Sequence, residues 1–298
     1  MSRTDFRVNH PIHLIRALRP HQWVKSAFVF LGLIFSQRWG DLELVVRVTA
    51  AAVAFGLTAS SMYVLNDLAD VERDRQHPEK RRRPIAAGEV TGGFARVVGS
   101  LALFAGVSLG AWVSVKVAGI LLLYLTLNIA YTARLKHVVI LDVFSIAAGF
   151  MMRILAGTLG VGIAPSEWLL QCGLMITLFL GFAKRRAELG VVTVSEGSTH
   201  REVLRHYTPA VLDNFIAITA AGVVMTYSLY TTDIDTVRTH GTRDLIYTVP
   251  FIVFGIFRYV FLLHNGGAGD PARDLFRDRQ LLAAVLGWLA ATVTILTW

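Results

Sequence analysis

Long apolar stretches with no polar face recur along this chain, and they limit its fold more than any other feature. They fall at roughly residues 23–38, 44–65, 94–112, 115–133, 138–157, 166–184, 210–230, 245–263 and 279–297. About 20 predominantly apolar residues in a helix cross the roughly 30 Å of a bilayer's hydrocarbon core. Stretches such as 138–152 and 279–298 have no hydrophilic side to turn toward water. Only 17% of the 298 residues are charged, against about 25% in soluble domains. The pattern predicts an all-α membrane protein of nine transmembrane helices, a single domain over residues 1–298, with 1–22 as a cytoplasmic or interfacial lead-in. The first stretch is short and ends in Gln37-Arg38.

The cations give the arrangement a direction. If the N-terminus and the segments after the second, fourth, sixth and eighth stretches share one side, that side holds 22 of the 29 Lys and Arg residues and the other side five. Arg153 and Arg258 fall inside stretches. The bias predicts an inward N-terminus, an outward C-terminus and a chemically dense cytoplasmic face. The formal charge of +8 is then explained by loops facing anionic lipid rather than by nucleic acid. Residues 1–25 carry five cations and no apolar core before Trp23, so no cleavable signal peptide is expected. The single cysteine, Cys172, has no intrachain partner and is expected to be a buried thiol. Gly106 and Gly110 are spaced for close helix packing.

The densest charge lies in "NDLADVERDRQHPEKRRRPIAAG", residues 66–88. Asp67, Asp70 and Asp74 are three and four apart, which on a continuous helix puts them on one face over two turns, with Asn66 beside the first. Carboxylates grouped where a span ends repel unless a cation sits among them, and carboxylates at membrane depth tend to be functional. Their oxygens suit Mg²⁺ together with substrate phosphate. Pro78 then stops the helix, and the basic run Lys80–Arg83 follows. Acids followed by bases suit a Mg²⁺-bound diphosphate whose remaining oxygens face cations. Lys80 and Arg83 are the preferred phosphate contacts, Arg81 and Arg82 fit lipid headgroups equally well, and Glu72 points elsewhere on the helix.

The motif N-D-x-x-D-x-x-x-D followed by R-P-I-A-A-G resembles the first aspartate-rich motif of the UbiA-type intramembrane prenyltransferase superfamily. "RPHQWVK" (19–25), "YTARLKH" (131–137) and "LDVFSIAAGFMMRILAG" (141–157) are similar to its other patterns. The resemblance implies nine transmembrane helices around a central cavity open to the cytoplasm, and Mg²⁺-dependent transfer from a diphosphate donor. Ordinary members carry a second aspartate-rich motif after the sixth helix. Here "FAKRRAELGVVTVSEGSTHREVLRHYT" offers Lys184, Arg185, Glu188, Arg201, Arg205 and His206, and no aspartate. That exchange, with "GGAGDPARDLFRDR" (266–279), resembles the decaprenyl-phosphate phosphoribosyltransferase branch. The branch implies phosphoribosyl diphosphate as donor, a polyprenyl phosphate as acceptor, a lipid-linked cell-wall arabinan precursor as product and a bacterial plasma-membrane location. It leaves a homo-oligomer open.

On the same resemblance, Asp67, Asp70, Asp74 and Asn66 hold Mg²⁺. Lys25, Tyr131 and Lys136 are either interfacial anchors or phosphate contacts. Lys184, Arg185 and Glu188 bind substrate, although Lys184 and Glu188 also have the spacing of a helix ion pair. Asp142 and Arg153 share a face of the fifth stretch. An intramembrane arginine is costly, so Arg153 is expected to face the cavity and bind a phosphate or to pair with a carboxylate. Arg279, with Arg277 and Asp278, begins the last stretch as a further candidate, and Arg258 either lines the cavity or braces the bundle.

Overall fold

In the computed structural model, the described residues (8–78, 80–192, 202–265 and 271–297) form helices and turns and no β-strand. Helix α1 (Pro11–Leu18) passes through Arg19 into a 3-10 segment, Pro20–Phe30, that runs directly into α2 (Leu31–Ser36). The long helices are α3 (Leu42–Ala69), α5 (Gly92–Val113), α6 (Val115–Ala133), α7 (Leu141–Ala156), α8 (Glu167–Val192), α9 (Pro209–Thr232), α11 (Val249–His264) and α13 (Arg279–Thr297). Short helices α4 (Val71–Gln76), α10 (Ile234–His240) and α12 (Pro271–Arg277) lie between them.

Eight helical stretches among the described residues are long and apolar enough to cross a membrane, and they match the second to ninth sequence stretches. The first stretch differs in kind: eleven 3-10 residues followed by six α-helical ones. Three residues per turn align every third side chain. Trp23, Ser26, Val29 and Gly32 therefore form one stripe, and Ser26, Val29 and Gly32 are buried against the bundle. Lys25, Phe28 and Leu31 form the neighbouring stripe, turned toward an internal chamber.

Two apolar cores hold the bundle. One joins the first segment to α3, α5, α6 and α7 around Phe55, Val117 and Leu121. The other joins α7, α8, α9, α11 and α13 around Phe179, Leu212 and Ile216. The expected close packing at Gly106 is present: a Cβ there would lie 2.5 Å from Thr58 Oγ1. The tightest approach is between α7 and the first segment. A Cβ on Gly157 would run into the Val29 carbonyl, and one on Gly32 would lie 2.5 Å from the Gly157 carbonyl oxygen.

Successive long helices alternate in direction. The C-terminal ends of α3, α6, α8 and α11 and the N-terminal ends of α5, α7, α9 and α13 thus gather at one end of the bundle. Cross-links there include Arg186 to Asp213 at 2.9 Å and His264 to Asp213 at 3.3 Å. Nearly all the dense charge meets at this end.

Gly157→Ala is expected to lower stability by about 1–3 kcal/mol, because the obstacle is backbone that cannot rotate away. Thermal unfolding of the purified protein in detergent measures this. Gly119→Ala, whose Cβ would meet nothing within 4 Å, should leave the transition unchanged.

Candidate active site

The acidic motif is shaped by a slip in the helix. α3 ends at Ala69, and Asp70, at φ −100° and ψ 10°, joins it to α4. Hydrogen bonds continue across the junction, Asp70 N–H to Asn66 O at 2.9 Å and Asp74 N–H to Asp70 O at 2.8 Å. Asp67 and Asp74 consequently face inward, each only 3% exposed. Asp70 stays half-exposed beside Arg73, 3.6 Å away. The expectation of three carboxylates on one continuous helix face is thus corrected to an inward pair and one outward member.

Arginines hold that inward pair. One Arg83 amino group donates to Asp67 at 2.9 Å and to Asp74 at 2.7 Å. Arg19 donates to both Asp67 oxygens at 2.7 Å and lies over the Tyr63 ring. Arg83 is placed by the turn that follows it: Pro84, Ile85 and Ala86 are buried, Ala87 N–H bonds the Arg83 carbonyl at 2.8 Å, and Gly88 takes φ +75°. Lys80, Arg81 and Arg82 are exposed. Arg19 was not singled out from the sequence, although "RPHQWVK" begins with it. Its backbone sits at φ +53°, a left-handed conformation that ends α1.

Among the described residues no group of three or more His, Cys, Asp or Glu has metal-ligating geometry. The donors nevertheless fit a hard divalent cation. Two nearly buried carboxylates share Arg83 as a cation, with a third carboxylate and the Asn66 amide within a turn, and all of these offer oxygen.

The second site is a closed knot. Arg185 is fully buried, its Nε donates to Asp142 at 2.5 Å, one amino group donates to Glu188 at 2.5 Å, and the other donates to the Tyr131 hydroxyl at 3.0 Å. The Tyr207 hydroxyl donates to the other Asp142 oxygen at 2.8 Å and accepts the Ile140 N–H at 2.7 Å. Burial pushes the Tyr207 hydroxyl pKa above its ordinary value, which keeps it protonated as a donor. Ile140 has φ +71°, and a Leu141 N–H bond to Val139 O at 2.8 Å closes a γ-turn around it. This strained turn aims the start of α7 so that Asp142 meets Arg185. Arg185, Glu188 and Tyr131 are therefore brought together, but with one another.

Arg153 differs from expectation. It is 4% exposed, away from the chamber, and its partner is not Asp142. Its guanidinium donates to Gly149 O at 2.7 Å and to the Tyr124 hydroxyl at 3.3 Å, and lies over the Phe55, Tyr124 and Phe150 rings. Aromatic faces offset its charge in place of a carboxylate. Arg258 braces the bundle through Asp278 at 2.7 Å. That hydrogen bond is the main reason Asp278 titrates below the usual carboxylate range. Arg279 is exposed, and Lys136 is half-buried on the turn Leu135–His137. Arg201 and residues 266–270 lie outside the described residues.

An apolar chamber of about 450 Å³ runs between the first segment, α7, α8, α9, α11 and α13. Lys25 and Lys184 line it, as does half-buried Cys172, whose thiol donates to Thr226 Oγ1 at 3.2 Å. Phe35, Tyr230 and Trp288 close its far end, with ring centroids 5.4 and 6.2 Å from Phe35.

The sequence matches the UbiA prenyltransferase family over residues 26–277. It is 35% identical to the decaprenyl-phosphate phosphoribosyltransferase of Corynebacterium glutamicum, covering 94% of this chain and 85% of that one. It is 34% identical to the enzyme of the same name from Mycobacterium tuberculosis, covering 93% and 92%. A UbiA homolog from Archaeoglobus fulgidus solved with GPP and Mg²⁺ superposes with a TM-score of 0.68 over 96% of this chain and 100% of that one, at 17% identity. A digeranylgeranylglyceryl phosphate synthase superposes at 0.66, covering 95% and 98%, at 15% identity. At such identities the structural likeness is one of fold.

Asp142→Ala removes a carboxylate from a fully buried guanidinium and the acceptor from Tyr207. It is expected to cost about 3–5 kcal/mol, seen as a lowered unfolding temperature. Glu188→Ala, at a partly exposed partner, should cost clearly less in the same measurement.

Proposed function

This chain belongs to the UbiA prenyltransferase family, and from that premise we propose that it transfers a 5-phosphoribosyl group from phosphoribosyl diphosphate to a polyprenyl phosphate, releasing diphosphate. The observation that carries this reading is the second site. Where the resemblance leads one to expect aspartates, the chain has Lys184, Arg185 and Arg186. A prenyl donor brings one diphosphate. The phosphoribosyl reaction brings a diphosphate, a 5-phosphate and a lipid phosphate, each monoester carrying about −1.5 to −2 charges. One acidic metal site does not balance that charge; Arg185 and Arg186 are matched by Asp142, Glu188 and Asp213, and Lys184 at the chamber with the exposed Lys80, Arg81 and Arg82 beside the acidic motif supply the added cations. The names of the relatives from Corynebacterium glutamicum and Mycobacterium tuberculosis support the same reading.

The donor diphosphate is assigned to the acidic end of α3. Asp67, Asp70, Asp74 and Asn66 would hold Mg²⁺, which when bound supplies charge neutralisation to the leaving diphosphate. Arg19 and Arg83, already seated on these carboxylates, place further positive charge beside the donor. The acceptor phosphate is an anion at neutral pH, so its oxygen attacks the anomeric carbon without a general base. The new C–O bond forms as the bond to diphosphate breaks, and the electron pair leaves with diphosphate. The protein's part is positioning and stabilisation of the leaving charge.

In the membrane, the charged end of the bundle faces the cytoplasm and the C-terminus lies outside, in a bacterial plasma membrane. The first segment makes the ninth crossing. Eleven 3-10 residues at about 2.0 Å and six α-helical residues at about 1.5 Å span roughly 31 Å, enough for the hydrocarbon core.

Purified protein given Mg²⁺, labelled phosphoribosyl diphosphate and a polyprenyl phosphate should yield labelled lipid with inverted anomeric configuration. Chelation should abolish the product. Net retention would overturn the single displacement, and turnover of a prenyl diphosphate instead would overturn the donor. Asp67→Asn and Asp74→Asn should each lower kcat at least about tenfold and raise the Mg²⁺ concentration needed for half-maximal rate. Full activity in either variant would remove the metal assignment.

A further inference from the structure

Four described residues other than glycine have positive φ: Asn9, Arg19, Gln37 and Ile140. Arg19 and Gln37 end α1 and α2, where a left-handed residue is common. Ile140 instead begins a helix: it is the N-cap of α7, at φ +71° and ψ −48°. An N-cap ordinarily has extended backbone and a Ser, Thr, Asp or Asn side chain that accepts a first-turn N–H. Ile140 has neither, and a β-branched residue at positive φ is an outlier that local preference does not produce. It is 40% exposed, so burial of its side chain is not what holds it there. Such outliers persist where surrounding contacts over-determine them, and they gather at functional sites.

The contact that holds Ile140 comes from far along the chain. The Tyr207 hydroxyl accepts the Ile140 N–H at 2.7 Å and donates to Asp142 Oδ1 at 2.8 Å. Tyr207 is buried and follows Val203 and Leu204, and all three are seated in the second apolar core, so its ring has a fixed mount. Asp142 lies in the first turn of α7 and gives its other oxygen to the fully buried Arg185 of α8. The Ile140 N–H, the Tyr207 hydroxyl, Asp142 and Arg185 thus form one chain of hydrogen bonds, in which each bond polarises the next. One hydroxyl ties together the start of α7, the end of α8 and the lead-in to α9. Lys184 and Glu188 stand on either side of Arg185 along that end of α8. Tyr207 does not line the chamber, so it acts through the residues it holds.

Building on the phosphoribosyl-transfer reading, we propose that Tyr207 is a positioning residue for the transfer. It keeps α7 starting from the strained Ile140 turn, and it thereby sets where the Lys184–Glu188 end of α8 stands relative to the acidic end at Asp67 and Asp74. Without the hydroxyl, the Ile140 N–H and one Asp142 oxygen lose a partner, and the turn is free to relax to an ordinary helix start. Asp142 then moves with α7, and Arg185 moves with Asp142. Groups that must meet in one transition state tolerate little displacement, so the rate suffers before the fold does. The acidic end belongs to α3, α4 and the turn after α4 and stands outside this chain of bonds, so metal binding there is unaffected.

Tyr207→Phe, Ile140→Gly and the double variant, each in the full-length protein, test this. Glycine keeps the N–H and removes the strain, so Ile140→Gly alone should keep kcat within about twofold of wild type. Tyr207→Phe should lower kcat at least about tenfold and lower the unfolding temperature. The Mg²⁺ concentration for half-maximal rate should stay within about twofold. The double variant no longer carries the strain, so it should unfold at a higher temperature than Tyr207→Phe while its kcat stays low. Recovery of both would make Tyr207 merely structural and overturn the proposal. Wild-type kcat in Tyr207→Phe, or an Mg²⁺ requirement that rises as much as kcat falls, would do the same. Hydrogen exchange gives a readout without turnover. Peptides covering Ile140 should exchange at least about tenfold faster in Tyr207→Phe, and peptides covering Asp67 should not change. Unchanged exchange at Ile140 would remove the latch. If exchange responds as expected and the wild-type protein forms no labelled lipid, the transfer reading falls and the Tyr207 latch stands. If labelled lipid forms at the wild-type rate without the hydroxyl, the transfer reading stands and the positioning role falls.

Discussion

Arg185 sits where no water reaches it, and a guanidinium there is tolerable only if its donors are met by acceptors of opposite charge. Asp142 and Glu188 supply the charge, Tyr131 a further acceptor, and Tyr207 fixes Asp142 from behind. These residues come from α6, α7, α8 and the turn before α9. Satisfying one buried charge therefore sets the relative positions of those elements at the charged end. It also accepts a strained Ile140, whose N–H is held by the same tyrosine. The neighbouring Lys184 is thereby presented to the chamber on a fixed helix.

The acidic end follows the same rule with different parts. Asp67 and Asp74 are buried but face Arg19 and Arg83. Two anions on one helical face are stable there because two guanidiniums share them. Carboxylate and guanidinium occupy one pocket, so each buried charge meets its opposite without water.

Much of this was legible in the sequence because it depends on periodicity and charge. The lengths of the apolar stretches located eight spans, and the charge bias located the end where the polar chemistry gathers. The aspartate spacing placed Asp67 and Asp74 together, since residues seven apart return to the same face. Other features were not legible because they rest on contacts distant in sequence. Asp142 and Arg153 share a helix face and look like a pair, yet Asp142 turns to Arg185, 43 residues away. Arg153 goes to Phe150, one turn before it, and to the Phe55 and Tyr124 rings, whose proximity no local pattern reveals. Arg19 was overlooked because its partner, Asp67, lies 48 residues along the chain.

The sequence by itself determined that the protein is helical, that it lies in a membrane, which end is charged, and which family it joins, because hydrophobic run length and motif spacing are one-dimensional properties. The tertiary structure decided which cations are spent on holding the protein together and which face the chamber. Lys184 and Arg185 are adjacent in sequence and equal in charge. One lines an apolar slot and the other is sealed among carboxylates, because successive helix positions differ by about 100° in direction and only the packed neighbours define what each direction meets.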